Sequence, residues 1–224
     1  MSRSVIVTGC SRGIGAALVT EFNQRGYDVG GCSRSEESMS QLGTDPRFRC
    51  VDVTDDGQVA RWSKDLLGAG MSPDLIIANA GVINEPGPFW DVDAAEFDAV
   101  IDVNVKGVAN TARAFLPGMI EQGRGTFVAL SSGWGRSTSA GVAPYCASKY
   151  AVEGLIGAIS QDLPAGLCAV SLSPGVVDTR MLAVAFGASE ASQAIDPDLW
   201  AKPAVDFLLS LSPADNGQSL TFSR

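Results

Sequence analysis

Tyr145 and Lys149 stand four positions apart in Pro144-Tyr145-Cys146-Ala147-Ser148-Lys149. Four positions is one helical turn, so on a helix the two side chains share a face. An ammonium beside a phenol favours the phenolate and lowers the phenol's pKa toward the working range of an acid/base catalyst. Alone, the same spacing fits an aromatic on a core face beside a solvated lysine. Ser132 lies thirteen positions upstream, at the end of an apolar run, and adds a hydroxyl to the set. The chain has no histidine, which removes Ser-His-Asp hydrolysis, Cys-His nucleophiles and His-ligated metal sites. Ala129-Leu130-Ser131-Ser132-Gly133 has a slight likeness to a nucleophile elbow, but it lacks the first glycine and a base to serve it.

These groups need elements to carry them. Short Val/Ile/Leu-rich runs at 4–8, 27–32, 47–51, 74–78, 125–131, 166–172 and 218–222 alternate with helical patterns near 13–25, 55–69, 94–121, 144–163 and 197–211. Strand–helix alternation of this kind predicts an α/β fold, a parallel sheet covered by helices on both faces. Pro86-Gly87-Pro88 breaks the chain after the fourth strand, and Pro164 ends the helix that carries Tyr145 and Lys149. The segment 180–196, with Met181, Leu182 and Phe186, reads as a short, mobile apolar lid. Gly9, Gly13 and Gly15, in Thr8-Gly9-Cys10-Ser11-Arg12-Gly13-Ile14-Gly15, follow the first strand and open a helix. Glycines there let the backbone turn sharply and approach a pyrophosphate at the helix N-terminus.

The spacing Gly-x-x-x-Gly-x-Gly resembles that of the short-chain dehydrogenase/reductase superfamily, and further motifs agree with it. They are Asn79-Ala80-Gly81 after the fourth strand, Asn104 in Asn104-Val105-Lys106-Gly107, the Ser132/Tyr145/Lys149 set, and Ser173-Pro174-Gly175 with Thr179 after the sixth strand. The resemblance runs from about residue 4 to 182 and more loosely to the end. It implies a Rossmann-type, doubly wound, seven-stranded parallel sheet in a single domain, residues 1–224. It also implies hydride transfer between a nicotinamide cofactor and a small carbonyl or alcohol. Tyr145 is then the proton donor, and Ser132 steadies the carbonyl oxygen. Lys149 binds the nicotinamide ribose and lowers the pKa of Tyr145, and Asn104 holds a proton-relay water. The expected cofactor contacts are Gly9, Ser11, Arg12, Gly13, Ile14, Gly15, Ser33, Arg34, Asp52, Val53, Asn79, Ala80, Gly81, Tyr145, Lys149, Pro174, Gly175, Val177 and Thr179.

Other readings stand beside these. Asn104 could instead bridge backbone groups, and Ser131 could face the site in place of Ser132. Strand alternation allows only one of the two serines on a given face, and the spacing to Tyr145 selects Ser132. Trp90 and Trp134 fit a substrate pocket, or packing or interface positions, equally. Cys146 reads as a small core residue. Arg136 and Arg180 remain available to a substrate carboxylate, although a short apolar lid suits a compact, uncharged, partly aromatic carbonyl.

Dinucleotide sites read the adenosine ribose at the end of the second strand, with a carboxylate for the 2′-OH of NAD or an arginine for the 2′-phosphate of NADP. Here Ser33 stands where NAD-preferring relatives carry Asp. Arg34 follows it, and Arg12 lies in the glycine loop. Two guanidiniums without a carboxylate make a phosphate site, so NADP(H) is expected in preference to NAD(H). Glu36 and Glu37 read as helix N-terminal charges, and Asp52-Val53 as the adenine contact. The resulting expectation is an NADPH-dependent carbonyl reductase. The alternatives are an NADP-linked secondary-alcohol dehydrogenase and a non-catalytic dinucleotide sensor or scaffold.

Composition sets the outer bounds. The chain has 224 residues, 46% hydrophobic, with 25 glycines and a net charge of −9. That size suits one buried core, and the charge argues against nucleic acid or anionic membrane as a partner. Five cysteines without a Cys-x-x-Cys pair suit a reduced, cytoplasmic setting. Residues 1–8 run directly into a strand pattern without a signal-peptide core. The apolar surplus on helices 94–121 and 144–163 predicts a homodimer or homotetramer. The C-terminal sequence lacks the Asp-Gly-Gly ending of many relatives, which leaves their usual tetramer contact in doubt.

Overall fold

A computed structural model describes residues 3–40 and 45–222; the outer ends of the expected domain, residues 1–2 and 223–224, lie outside the described residues. Seven strands form one parallel sheet: β1 (Ser4–Thr8), β2 (Asp28–Ser33), β3 (Phe48–Cys50), β4 (Pro73–Ala78), β5 (Gly125–Leu130), β6 (Leu167–Ser173) and β7 (Ser219–Thr221). Their order is β3-β2-β1-β4-β5-β6-β7. The chain crosses from one half of the sheet to the other between β3 and β4. That reversal opens a crevice at the carboxyl ends of β1 and β4, where doubly wound folds bind ligands.

Period-two alternation divides the apolar residues between two layers. Val5, Val7, Leu75, Ile77, Val128 and Val170 face one side, packed with Leu18 and Phe22 of α1 (Gly13–Gln24). On that side they also meet Trp200, Val205 and Leu208 of a C-terminal helix, Pro197–Ser210. Ile6, Ile76, Phe127, Ala129 and Ala169 face the other side. They meet α3 (Asp56–Gly68), α5 (Gly107–Gln122) and α6 (Ala143–Asp162). Between these run α2 (Glu36–Ser40), α4 (Ala94–Ile101), and α7 (Arg180–Phe186) and α8 (Ala188–Ala191) within the expected lid; Pro197–Ser210 is α9. Glu36 and Glu37 occupy the first turn of α2, where a helix N-terminus favours negative charge.

The long helix expected over 94–121 is interrupted. A π-helical stretch, Asp102–Lys106, joins α4 to α5, and Asn104 sits within it. Its amide is fully buried and reaches out of the helix: Oδ1 accepts from Val82 N at 2.8 Å, and Nδ2 donates to Val82 O at 2.9 Å and to Ser148 Oγ at 2.9 Å. Single π-turns of this sort concentrate at functional sites. Downstream, Asp196 caps α9 through Asp198 N, and α6 stops at Asp162 just before Pro164.

In the α3/α5 layer, Phe115 meets Trp62 edge-on with ring centroids 5.3 Å apart, and the two are 1% exposed each. Truncating a buried ring of this kind costs about 3–5 kcal/mol. Phe115→Ala is therefore expected to lower the urea unfolding midpoint without changing the slope. An unchanged midpoint would show that this layer does not hold the sheet together.

Candidate active site

The parallel sheet brings the ends of six strands to one edge, and nearly every residue singled out in the sequence lies there. The loop after β1 carries the glycines. Gly9 and Gly13 have φ of 68° and 54°, the left-handed region that side chains avoid. At Gly15 a Cβ would stand 2.2 Å from the Gly9 carbonyl oxygen, so only glycine lets the first turn of α1 close on the loop. Asn79, at the end of β4, holds the loop from the far side of the crevice. Its Nδ2 donates to Thr8 O (2.8 Å) and Gly9 O (3.1 Å), while Asn79 N and Ala80 N donate to Thr8 Oγ1. Asn79 is thus a structural tie across the switch point, and it leaves the backbone of 79–81 lining the crevice.

At the end of β2, Ser33 is buried and its hydroxyl donates to Ser11 Oγ at 2.9 Å. Arg12 and Arg34 flank this serine pair in sequence. Both are exposed, and neither forms an ion pair among the described residues. Asp52, after β3, accepts from Thr54 N and Thr54 Oγ1 through Oδ1. Val53 is buried against Gly107, where a Cβ would come within 2.7 Å of it, and its carbonyl accepts from Asn110 Nδ2. After β6, Gly175 turns with φ 74° and the Pro174 carbonyl accepts from Trp200 Nε1. Thr179 caps α7 through Leu182 N, with its methyl toward Gly13. Val177 forms an isolated parallel bridge with Ile195, which closes the base of the segment expected as a lid.

Ser132, Tyr145 and Lys149 meet at the end of β5. Ser132 is half-buried and accepts from Trp134 N at 3.1 Å, an arrangement that leaves its proton free to donate. Ser131 turns to the other side, buried, beside Gly135. Lys149 is buried; its Nζ donates to Leu130 O at 2.7 Å and lies 5.5 Å from the centre of the Tyr145 ring. Ser148, between them, donates to Tyr145 O and accepts from Asn104.

The electrostatics differ from expectation. The sequence predicts that Lys149 lowers the Tyr145 pKa. In the structure, burial pushes the phenol up to about 12, and only the Ser132 hydroxyl pulls the other way. Desolvation dominates, and Nζ of Lys149 lies over the ring, hydrogen-bonded to the Leu130 carbonyl. The same burial brings Lys149 down to about 8, opposed by the carboxylate of Glu153.

Three further expectations change. The side chain of Asn104 bridges backbone groups, the alternative kept open above, because the π-turn aims it at Val82. Arg136 cannot serve a substrate carboxylate: it pairs with Glu153 (3.4 Å) and donates to Leu220 O, Ser219 O and Thr221 Oγ1 on β7. The two tryptophans separate. Trp90 is 84% exposed, whereas Trp134 stands edge-on to Tyr145 at 6.0 Å and 5.5 Å from Phe186 of α7. Ile83, Val142, Cys146 and Met181 complete an apolar wall around the phenol. Trp134, Met181 and Phe186 stood out in the sequence, whereas Ile83 and Val142 did not, because the wall draws on four separate segments.

The match to known proteins is extensive. The short chain dehydrogenase family model covers residues 3–188. An NADPH-dependent pterin aldehyde reductase of Arabidopsis thaliana is 43% identical over 226 residues, spanning 98% of this chain and 93% of that protein. A sulfoacetaldehyde reductase of Chromohalobacter salexigens is 31% identical, over 86% of this chain and 79% of that one. Among solved structures, an alcohol dehydrogenase from the archaeon Thermococcus sibiricus, complexed with 5-hydroxy-NADP, superposes with a TM-score of 0.82 at 26% identity over 99% of this chain and 96% of that one. A 3-ketoacyl-(acyl-carrier-protein) reductase from Brucella melitensis has the same fold, with a TM-score of 0.87 at 22% identity over 98% of this chain and 96% of that one. With a family model over most of its length and a relative this similar end to end, the chain belongs to the short chain dehydrogenase family.

Proposed function

We propose that this protein is an NADPH-dependent reductase of a small, uncharged carbonyl compound, with aromatic aldehydes and ketones as the favoured class. The observation that carries the reading is the convergence of Ser132, Tyr145 and Lys149 on the same sheet edge as the glycine loop. The activity of the plant relative, an NADPH-dependent pterin aldehyde reductase, supports both the cofactor and the substrate type.

The residues present fit a dinucleotide. Gly9, Gly13 and Gly15 form a cradle that a Cβ at Gly15 would fill, and the α1 N-terminus behind it offers unpaired N–H groups to a pyrophosphate. Arg12 and Arg34, exposed beside the Ser11–Ser33 pair, would hold an adenosine 2′-phosphate. Asp52 and Val53 would face the adenine; the backbone of Asn79, Ala80 and Gly81, with Lys149, would take the nicotinamide ribose. Pro174, Gly175, Val177 and Thr179 would line the nicotinamide side. When bound, the reduced cofactor supplies hydride to the carbonyl carbon.

The chain's own groups do the rest. A phenol whose pKa burial holds near 12 stays protonated at neutral pH, so Tyr145 is a proton donor ready for a developing alkoxide. Ser132 donates a hydrogen bond to the same oxygen and stabilises its charge. With its pKa near 8, Lys149 remains largely an ammonium at pH 7 and eases the formation of phenolate after the proton leaves. Trp134, Phe186 and Met181 exclude water and offer flat apolar surface to a ring. All five cysteines are free, which suits a reducing compartment, and no helix among the described residues is long and apolar enough to cross a membrane.

Three measurements bear on this reading. Tyr145→Phe is expected to cut kcat by at least about a hundredfold, the low end for removing a general acid, with NADPH affinity nearly unchanged; near-wild-type turnover would remove Tyr145 from the chemistry. Arg34→Ala removes a charge-assisted hydrogen bond of about 1.5–3 kcal/mol, so NADPH should bind roughly ten- to a hundredfold more weakly while NADH is barely affected. Adding Ser33→Asp to it should reverse the preference, and equal harm to both cofactors would make Arg34 a surface residue only. Trp134→Ala should raise KM roughly tenfold for an aromatic aldehyde, a loss of ring stacking and buried area, with little change for acetaldehyde. A uniform effect on both would mean that the wall does not select rings.

A further inference from the structure

Glu153 continues the line of Tyr145 and Lys149 along α6, one turn beyond the lysine. Its side chain is only 13% exposed, a costly place for a carboxylate unless it is paired. Three separate elements hold it. Oε2 accepts from Ser171 Oγ on β6 and from Ser219 Oγ on β7 at 2.6 Å. Oε1 faces Arg136 Nε at 3.4 Å. Arg136 in turn donates to the β7 carbonyls of Leu220 (2.8 Å) and Ser219 (3.4 Å) and to Thr221 Oγ1 (3.1 Å). It lies four residues after Ser132, across a short 3₁₀ turn, Gly133–Gly135. Gly135 presses on the helix so closely that a Cβ would stand 3.1 Å from Glu153 Cγ and 3.1 Å from Lys149 O. One carboxylate therefore ties the serine loop, the Tyr-Lys helix and the last two strands together.

We propose that Glu153 is a positioning residue for Lys149: its carboxylate, fixed by Ser171, Ser219 and Arg136, keeps the buried lysine an ammonium and locks the catalytic helix to β7. Residues four apart on a helix hold their Cβ atoms about 5–6 Å apart. In a poorly solvated site, a nearby opposite charge favours the charged form of its neighbour. The groups facing Lys149 are few. Tyr145 and Glu153 lie on its own helix and the Leu130 carbonyl on β5. Glu153 is the one charged side chain among the described residues that acts on it. Arg136 faces the carboxylate from the loop and Ser171 and Ser219 from the sheet, and these contacts fix its place.

The role in turnover rests on the reductase reading above, but the test does not. The chain has four lysines, so in protein carrying 13C at lysine Cε the Lys149 signal is assigned by its loss in Lys149→Met. Its titration is followed in wild type and in Glu153→Gln, which keeps shape and loses charge. The expected result is a midpoint near pH 8 in wild type, lower by about one pH unit in the variant. If turnover is present, the alkaline fall of kcat/KM for aldehyde reduction should move down with it, since reduction is lost as the lysine deprotonates. An unmoved Lys149 midpoint overturns the proposal and leaves Glu153 a strand clamp, even if its loss lowers Tm. Should Glu153→Gln fail to fold with Arg136 unpaired, Arg136→Met with Glu153→Gln removes both charges together. The same downward shift supports the proposal there, and an unmoved midpoint sinks it. Wild type that turns over no carbonyl would refute the reductase reading and leave the lysine titration to decide the rest.

Discussion

The contact between the loop after β1 and the amide of Asn79 is the constraint on which the whole edge of the sheet depends. Two strands adjacent in space and 65 residues apart at their nearest ends must meet at a point where the backbone of one almost touches the next helix. Removing the side chain at Gly15 solves the steric half of this problem, because a Cβ would stand 2.2 Å from Gly9 O and 2.6 Å from Asn79 Nδ2. Asn79 solves the polar half by supplying donors to Thr8 O and Gly9 O, which would otherwise be left short of partners at a buried strand end. With that junction fixed, the crevice has a floor, and the ends of β2, β4 and β5 stand at set distances around it.

Burial governs the chemistry of the same edge. It moves two neighbouring groups in opposite directions, the phenol up and the ammonium down, because it penalises whichever form is charged. For Tyr145 this preserves the proton it has to give. For Lys149 it threatens the charge, and Glu153 is the group that opposes it. The fold therefore balances solvent exclusion, which strengthens hydrogen bonds to a reacting oxygen, against the need to keep one cation inside.

Much of this was legible in the sequence because it is local. All seven apolar runs became strands within a residue or two, and the five helical patterns became helices, since period two and period 3.6 are written into consecutive residues. The glycine spacing announced its loop for the same reason. What stayed hidden depends on partners far along the chain. The π-turn at Asp102–Lys106 aims Asn104 at Val82, 22 residues away in the sequence. Helix α2 is five residues long, too short to show a period. Arg136 read as an available cation because its partners, Glu153 and the β7 backbone, lie 17 and more than 80 residues downstream. The direction of the Tyr145 shift was misjudged because spacing reports which groups are near and says nothing of how much water reaches them.

The base of the lid has a consequence for how the protein could change. Val177 and Ile195 pair as neighbouring strand residues, Asp178 N donates to Ile195 O at 2.9 Å, and Trp200 Nε1 holds the Pro174 carbonyl beside them. The chain thus enters and leaves the lid at almost one point, and residues 180–194 form a loop cinched at its neck. Lengthening such a loop adds little closure entropy and strains nothing below the knot. The segment can be lengthened at its outer end without strain at the neck, so long as Met181 and Phe186 keep their places against Tyr145 and Trp134.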